Sequence, residues 1–294
     1  MTSIKSYAVD TLMHATLTCM FMVHGVFPGM IVNGMRKATA ALSLYYCDVY
    51  VVQLPRNHRF PMTKYAQTRK RVETLLQDSR DRYGRNQFKL IRRNGLKDIN
   101  EGTAELSEDI RNHYSYAGGK DGQQQDFLDV VLTPSSFVSK EQAQLVHCGD
   151  YYDRFVKGSL TRSEEKALGF PWSRDLVRRT LASSLGTAQA AFDALETGFA
   201  GQIAGGTHHA FYDYGEGFCT FNDISIASAL LLDKKPHHVR KILVIDLDVH
   251  QGNGTAKMFQ NDDRVYTFSM HCKSNLFSKK QFGDRDVELP EGVG

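Results

Sequence analysis

The run Lys241-Ile-Leu-Val-Ile-Asp-Leu-Asp248 constrains the fold more than any other stretch of the chain. It is an apolar run ending in carboxylates, and Val249-His-Gln-Gly-Asn-Gly254 follows, so it reads as a buried strand opening into a glycine-bearing loop. Continuous apolar runs suit parallel strands covered on both faces, and ligand sites in open α/β sheets gather beyond such carboxyl ends. Asp248 and His250 lie two residues apart, so a strand projects both to the same side. A carboxylate and an imidazole there can form part of a divalent metal site. The bland alternative is a turn-forming Asp beside a surface His.

The rest of the chain alternates. Tyr45 to Leu54 reads as a strand, Pro61 to Gln77 as a helix, and Lys140 to Lys157 as helical around His147. Ser173 to Ala194 has helical periodicity and should cover one sheet face. Phe199 to Ala204 leads to a His pair, Asn222 to Leu232 is a helix with Asp223 near its start, Arg240 to Asp248 is a strand, Thr255 to Gln260 starts a helix, and Val265 to Met270 is a strand. Such alternation predicts a three-layer α/β/α sandwich with a mainly parallel sheet.

Two further segments carry chemistry. Ala204-Gly-Gly-Thr-His-His-Ala210 delivers two imidazoles to one place, and Gly215-Glu-Gly-Phe-Cys-Thr-Phe-Asn-Asp223 follows within ten residues. Together with Asp246-Leu-Asp-Val-His-Gln-Gly-Asn-Gly254, these segments resemble the zinc-dependent histone deacetylase family of the arginase/deacetylase superfamily. Val265 to His271, His58 to Lys64 and Leu145 to Tyr151 resemble further signatures of that family, so the likeness spans residues 44 to 77 and 134 to 294. Gln251 and Asn253 suit its class IV and bacterial-type branches rather than class I.

The resemblance implies roles. Asp248 and His250 look like two of three zinc ligands, and His209 like the base that takes a proton from zinc-bound water and returns it to the leaving lysine amine. His208 looks like its electrostatic partner, held by Asp246, and Asn253 occupies the position that orients His209. Gly217 and Phe218 would line a narrow tube around the acyl-lysine chain. Asp246, Asp248, His250, Ser269 and Met270 match a potassium site built largely from backbone oxygens. The implied reaction is hydrolysis of an acetyl-lysine amide in a histone, another protein or an acetylpolyamine. A corepressor or a second copy is the implied partner, in nucleus or cytoplasm.

The family takes a third zinc ligand, an Asp, and an oxyanion-stabilising Tyr from later strands, and Gly294 arrives before either. Asp284 and Asp286 have no family match as ligands. The resemblance therefore implies a fold incomplete at its C-terminal side, with an unpaired sheet edge and exposed apolar helix faces. A fragment or splice form is the expectation. The alternative function is a catalytically inactive, regulatory or acyl-lysine-binding product. A two-manganese ureohydrolase on the same fold would need another carboxylate where Gln251-Gly252-Asn253 stands.

Composition excludes less. A net charge of +3 is too small to argue nucleic-acid binding. Five scattered cysteines with no C-x-x-C pair suggest reduced thiols inside a cell, with Cys219 a pocket-wall residue rather than a nucleophile. Residues 1 to 43 do not resemble the family. They form an extension, acid-poor enough to serve as a plastid or mitochondrial targeting segment, and their apolar stretch is too interrupted to span a membrane. From 78 to 127 runs a polar insertion, basic and then acidic, expected to be a solvated loop that pairs with itself.

Overall fold

The computed structural model describes residues 20–22, 41–78, 88–92, 128–275 and 277–293. Eight strands among them form two sheets: β1 (Met20–Met22), β2 (Ala41–Tyr46), β3 (Phe88–Arg92), β4 (Leu128–Pro134) and β5 (Phe199–Gln202) in the order β1-β5-β2-β4-β3, then β6 (Ile242–Asp246), β7 (Val265–Cys272) and β8 (Arg285–Leu289) in sequence order. Every pairing is parallel except that of β1 with β5. The helices are α1 (Lys64–Asp78), α2 (Lys140–Ala143), α3 (Gly149–Lys157), α4 (Arg162–Leu168), α5 (Arg174–Thr197), α6 (Asp223–Lys234) and α7 (Asn253–Phe259). The chain is thus α/β with mainly parallel strands, as its alternation predicts. None of the helices among the described residues is long and apolar enough to cross a membrane.

Helix α5 organises the core. Ser173 caps its first turn by accepting the Leu176 N–H, and Gly198 closes it in a left-handed conformation. Small residues such as Ala182, Ser184, Ala188 and Ala191 are buried along it, which lets α6, β2 and β5 approach closely. The apolar body then runs through Phe155, Phe192, Phe221, Ile226, Leu230 and Leu231.

Four expectations need correction. The first strand stops at Tyr46, because the Tyr50 N–H closes a turn onto the Cys47 carbonyl and Asp48 leaves the sheet to bind Arg69. The helix expected over Lys140 to Lys157 is broken into α2 and α3, since the Cys148 N–H bonds the Tyr212 carbonyl instead of the preceding turn. Within the polar insertion, Phe88–Arg92 is a strand parallel to β4, and Arg92 pairs with Glu73 of α1. The rest of that insertion, and residues 1–43 apart from 20–22 and 41–43, lie outside the described residues.

The fourth correction concerns β6, which is covered on one face only. Ile242, Val244 and Asp246 point inward, whereas Leu243, Ile245, Leu247 and Val249, with Tyr266 of β7, are exposed. Among the described residues β6 pairs only with β7, so one edge is open. Part of the exposed apolar surface, Leu243, Ile245 and Tyr266, therefore belongs to strands.

The break before α3 turns His147 inward, where its Nε2 accepts the Asn222 N–H at 2.9 Å. Burial lowers its pKa from 6.5 to about 4. The unfolded chain therefore binds a proton below pH 6.5 that the folded chain refuses until about pH 4. The stability involved is fully present above pH 6.5 and is lost progressively as pH falls toward 4, by about 3 kcal/mol in all. Urea unfolding at pH 7.5 and pH 4.5 should show His147→Gln losing less stability between the two than the wild type. Equal losses would contradict this.

Candidate active site

The His pair is held by the start of α6. Asp223, fully buried, accepts the backbone N–H of Gly206 at 2.9 Å, that of Thr207 at 2.7 Å and the Thr207 hydroxyl at 2.6 Å, with the Thr187 hydroxyl as a fourth donor. Asn222 caps α6 by accepting the Ser225 N–H, and its amide donates to the Ala210 carbonyl at 3.2 Å and the Thr255 hydroxyl at 3.0 Å. The Thr255 N–H in turn bonds the His208 carbonyl. Residues 204–210 are thereby clamped between α5, α6 and α7. The sequence marks Asn222 and Asp223 only as a helix start.

The loop after β6 meets this clamp. His208 Nδ1 lies 2.5 Å from Asp246 Oδ2, and His209 Nδ1 lies 2.7 Å from Asn253 Oδ1. The two rings are 4.1 Å apart, and His250 stands 5.6 Å from His209. A Cβ at position 252 would lie 2.2 Å from Asp246 Oδ2, so only glycine lets the loop pass the carboxylate. Asp248 and His250 do come together, with Asp248 Oδ1 3.2 Å from His250 Nδ1. The reason is not strand alternation, since β6 ends at Asp246. Asp248 Oδ1 accepts the His250 N–H at 2.8 Å, a local turn that folds the imidazole over the carboxylate.

Electrostatics divide the paired histidines. Burial disfavours charge on His208, but the Asp246 carboxylate outweighs it and raises the pKa to about 9. His209 has no carboxylate bonded to its ring. Burial and the neighbouring His208 charge lower it to about 3. Burial opposes ionisation of Asp248 as well, yet the His250 hydrogen bond and the His208 charge hold it well below the usual carboxylate range. The surroundings thus favour the cation at His208 and the neutral ring at His209. Cys219 is buried with its Sγ 3.6 Å from the Gly217 carbonyl, and burial pushes its thiol up, so it is no thiolate nucleophile.

A narrow wall stands over this group. Gly217 has φ +57° and Phe218 has φ +67°, and α4 pins both as the Ala167 and Leu168 carbonyls accept their N–H groups. Phe60 and Phe170 pack against the Phe218 ring at 5.0 and 5.1 Å. Opposite stands Phe277, 4.9 Å from His209 and so close to residue 217 that an added Cβ would fall 2.2 Å from its Cζ. Phe277 lies in a polar stretch with no periodicity, which is why the sequence does not single it out. Glu216 also went unread, although it bonds Asn253 and Ser278.

Ser269 sits in register opposite Asp246, and its hydroxyl meets His271 Nδ1 at 2.9 Å. Asp284 is occupied by the Thr267 N–H and hydroxyl, and Asp286 by Gln251 and the Gly283 N–H. Among the described residues, no group of three or more His, Cys, Asp or Glu side chains is arranged to hold a metal.

The profile of the histone deacetylase domain matches residues 115–286. An uncharacterised protein of Picosynechococcus sp. is 49% identical over 150 residues, covering 51% of this chain and 49% of that protein. Histone deacetylase 5 of Arabidopsis thaliana is 36% identical over 164 residues, covering 48% of this chain and 23% of that protein. This chain thus spans half or less of the length of these relatives. The crystal structure of an HDAC homolog from Aquifex aeolicus aligns over 54% of this chain and 47% of its own, at 23% identity and a TM-score of 0.45. With the domain profile covering more than half of its residues, the chain belongs to the histone deacetylase family.

Proposed function

We propose that this protein hydrolyses an acetyl-lysine amide, in a histone or another protein, using zinc held in part by Asp248 and His250 with His209 as the base. The observation that carries this reading is the split pair, a cationic His208 and a neutral His209 beside a carboxylate–imidazole pair. Asp248 and His250 are donors of the types zinc takes. A catalytic zinc takes three protein donors, and the described residues bring only these two together. When bound, zinc polarises a carbonyl and makes its water more acidic.

The chain's own residues supply the rest. His209 donates Nδ1–H to Asn253 and keeps Nε2 unprotonated, so Nε2 can take a proton and pass it to the leaving amine. His208, charged by Asp246, places positive potential where negative charge develops. Gly217, Phe218 and Phe277 shape an entrance that suits a thin methylene chain and excludes water. The Asp246–Ser269 register supports a potassium ion held by Asp246, Asp248, His250, Ser269 and Met270. Acetylpolyamines fit the same chemistry.

The shortfall of metal donors favours a second reading, in which the chain binds acyl-lysine without turning it over. Zinc binding tests the ligand assignment common to both. Asp248→Ala should weaken zinc binding by more than the roughly 10- to 100-fold typical of losing an outer partner, as read by competition with a chromogenic chelator. Unchanged affinity would remove Asp248 from the site.

A further inference from the structure

Asn253 holds its amide between groups of opposite demand. Its Oδ1 accepts Nδ1–H of His209 at 2.7 Å and the Gly254 N–H at 3.0 Å. Its Nδ2 donates to Glu216 Oε1 at 2.9 Å, with the Lys279 carbonyl a longer second acceptor at 3.4 Å. The other carboxylate oxygen of Glu216 accepts the Ser278 hydroxyl at 3.0 Å, and a tight turn from its carbonyl to the Cys219 N–H fixes its backbone.

We infer that Glu216 is a positioning residue that fixes the amide of Asn253 and, through it, the tautomer of His209. The physical step is short. An ionised carboxylate only accepts hydrogen bonds, so Nδ2 of Asn253 must face Glu216 and Oδ1 must face His209. An amide oxygen facing Nδ1 requires the proton on Nδ1 and leaves Nε2 as the free lone pair. A reversed amide would offer Nδ2 to Nδ1, move the ring proton to Nε2 and remove the base. Glu216 also draws in the second acceptor, because its bond to Ser278 holds the adjacent Lys279 carbonyl near Asn253. An aspartate at 253 could accept from Nδ1–H with either oxygen and so needs no guard, although its other oxygen would then face the Glu216 carboxylate.

The kinetic consequence rests on the proposed hydrolysis, whereas the tautomer does not. In protein labelled with 15N-histidine, with His209 assigned by its loss in His209→Ala, the wild-type ring should be protonated at Nδ1 at pH 8. In Glu216→Ala a large fraction should shift to the Nε2–H form. With an acetyl-lysine peptide, kcat of Glu216→Ala should fall about 10- to 100-fold with KM little changed, as for other outer partners of a catalytic group. In the Asn253→Asp background, where either oxygen can accept from Nδ1–H and Glu216 only repels, Glu216→Ala should cause no loss of kcat. A His209 ring that stays in the Nδ1–H form in Glu216→Ala overturns the inference, whether or not any variant turns over substrate. So does a kcat loss that persists undiminished in the Asn253→Asp background, which would mark a merely structural role.

Discussion

Asp223→Ala should destabilise the folded protein by about 3–5 kcal/mol, a large part of a domain's whole stability. The carboxylate is fully buried and serves four donors from two segments. The hydroxyls of Thr187 and Thr207 can turn elsewhere; Thr207 already has the Phe221 carbonyl at 2.6 Å. The backbone N–H groups of Gly206 and Thr207 cannot. Both belong to partly buried residues, and each donor orphaned there costs about 1–3 kcal/mol. The effect should appear in urea titration as a lower midpoint at nearly constant slope. Asp223→Asn should fall between the two, since it retains one acceptor but turns an NH2 toward donors. A loss under about 1 kcal/mol for the alanine variant would mean the clamp on residues 204–210 lies elsewhere.

His209→Ala should reduce hydrolysis of an acetyl-lysine amide by about 100- to 10,000-fold while leaving zinc affinity unchanged. The size follows from the role, since a positioned general base contributes about that factor. Unchanged zinc affinity follows from geometry. His209 bonds Asn253 and only meets His250 edge-on, so removing it takes no donor from the Asp248–His250 pair. A variant that keeps wild-type turnover would remove His209 from the chemistry, and one that loses zinc would make it a ligand.

Much of the fold could be read from the sequence, and the reason differs by element. β6 and β7 declare themselves through apolar runs that end in polar loops, and α5 through its long periodicity. The same apolar run in β6 cannot reveal that only one face is covered, because Leu243 and Val244 are equally apolar and only tertiary packing sorts them. The break at Cys148 was hidden for a related reason, since its N–H is claimed by Tyr212, far along the chain. In the site, His208, His209, Asp246, Asp248 and His250 stand out by type and spacing, Asn253 only through the family resemblance, and the structure brings all six together. Phe277 and Glu216 did not stand out. Phe277 is placed by the Ser278–Glu216 and Gln251–Gln281 bonds, which connect residues 62 and 30 positions apart and leave no local pattern.

The most direct measurement is acetate release from an N-acetyl-lysine peptide by the zinc-supplied protein, read beside binding of the same peptide. The proposed hydrolase should release acetate at a rate that a zinc chelator abolishes and added zinc restores. Peptide binding with no acetate released would contradict hydrolysis and leave the acyl-lysine-binding reading in its place.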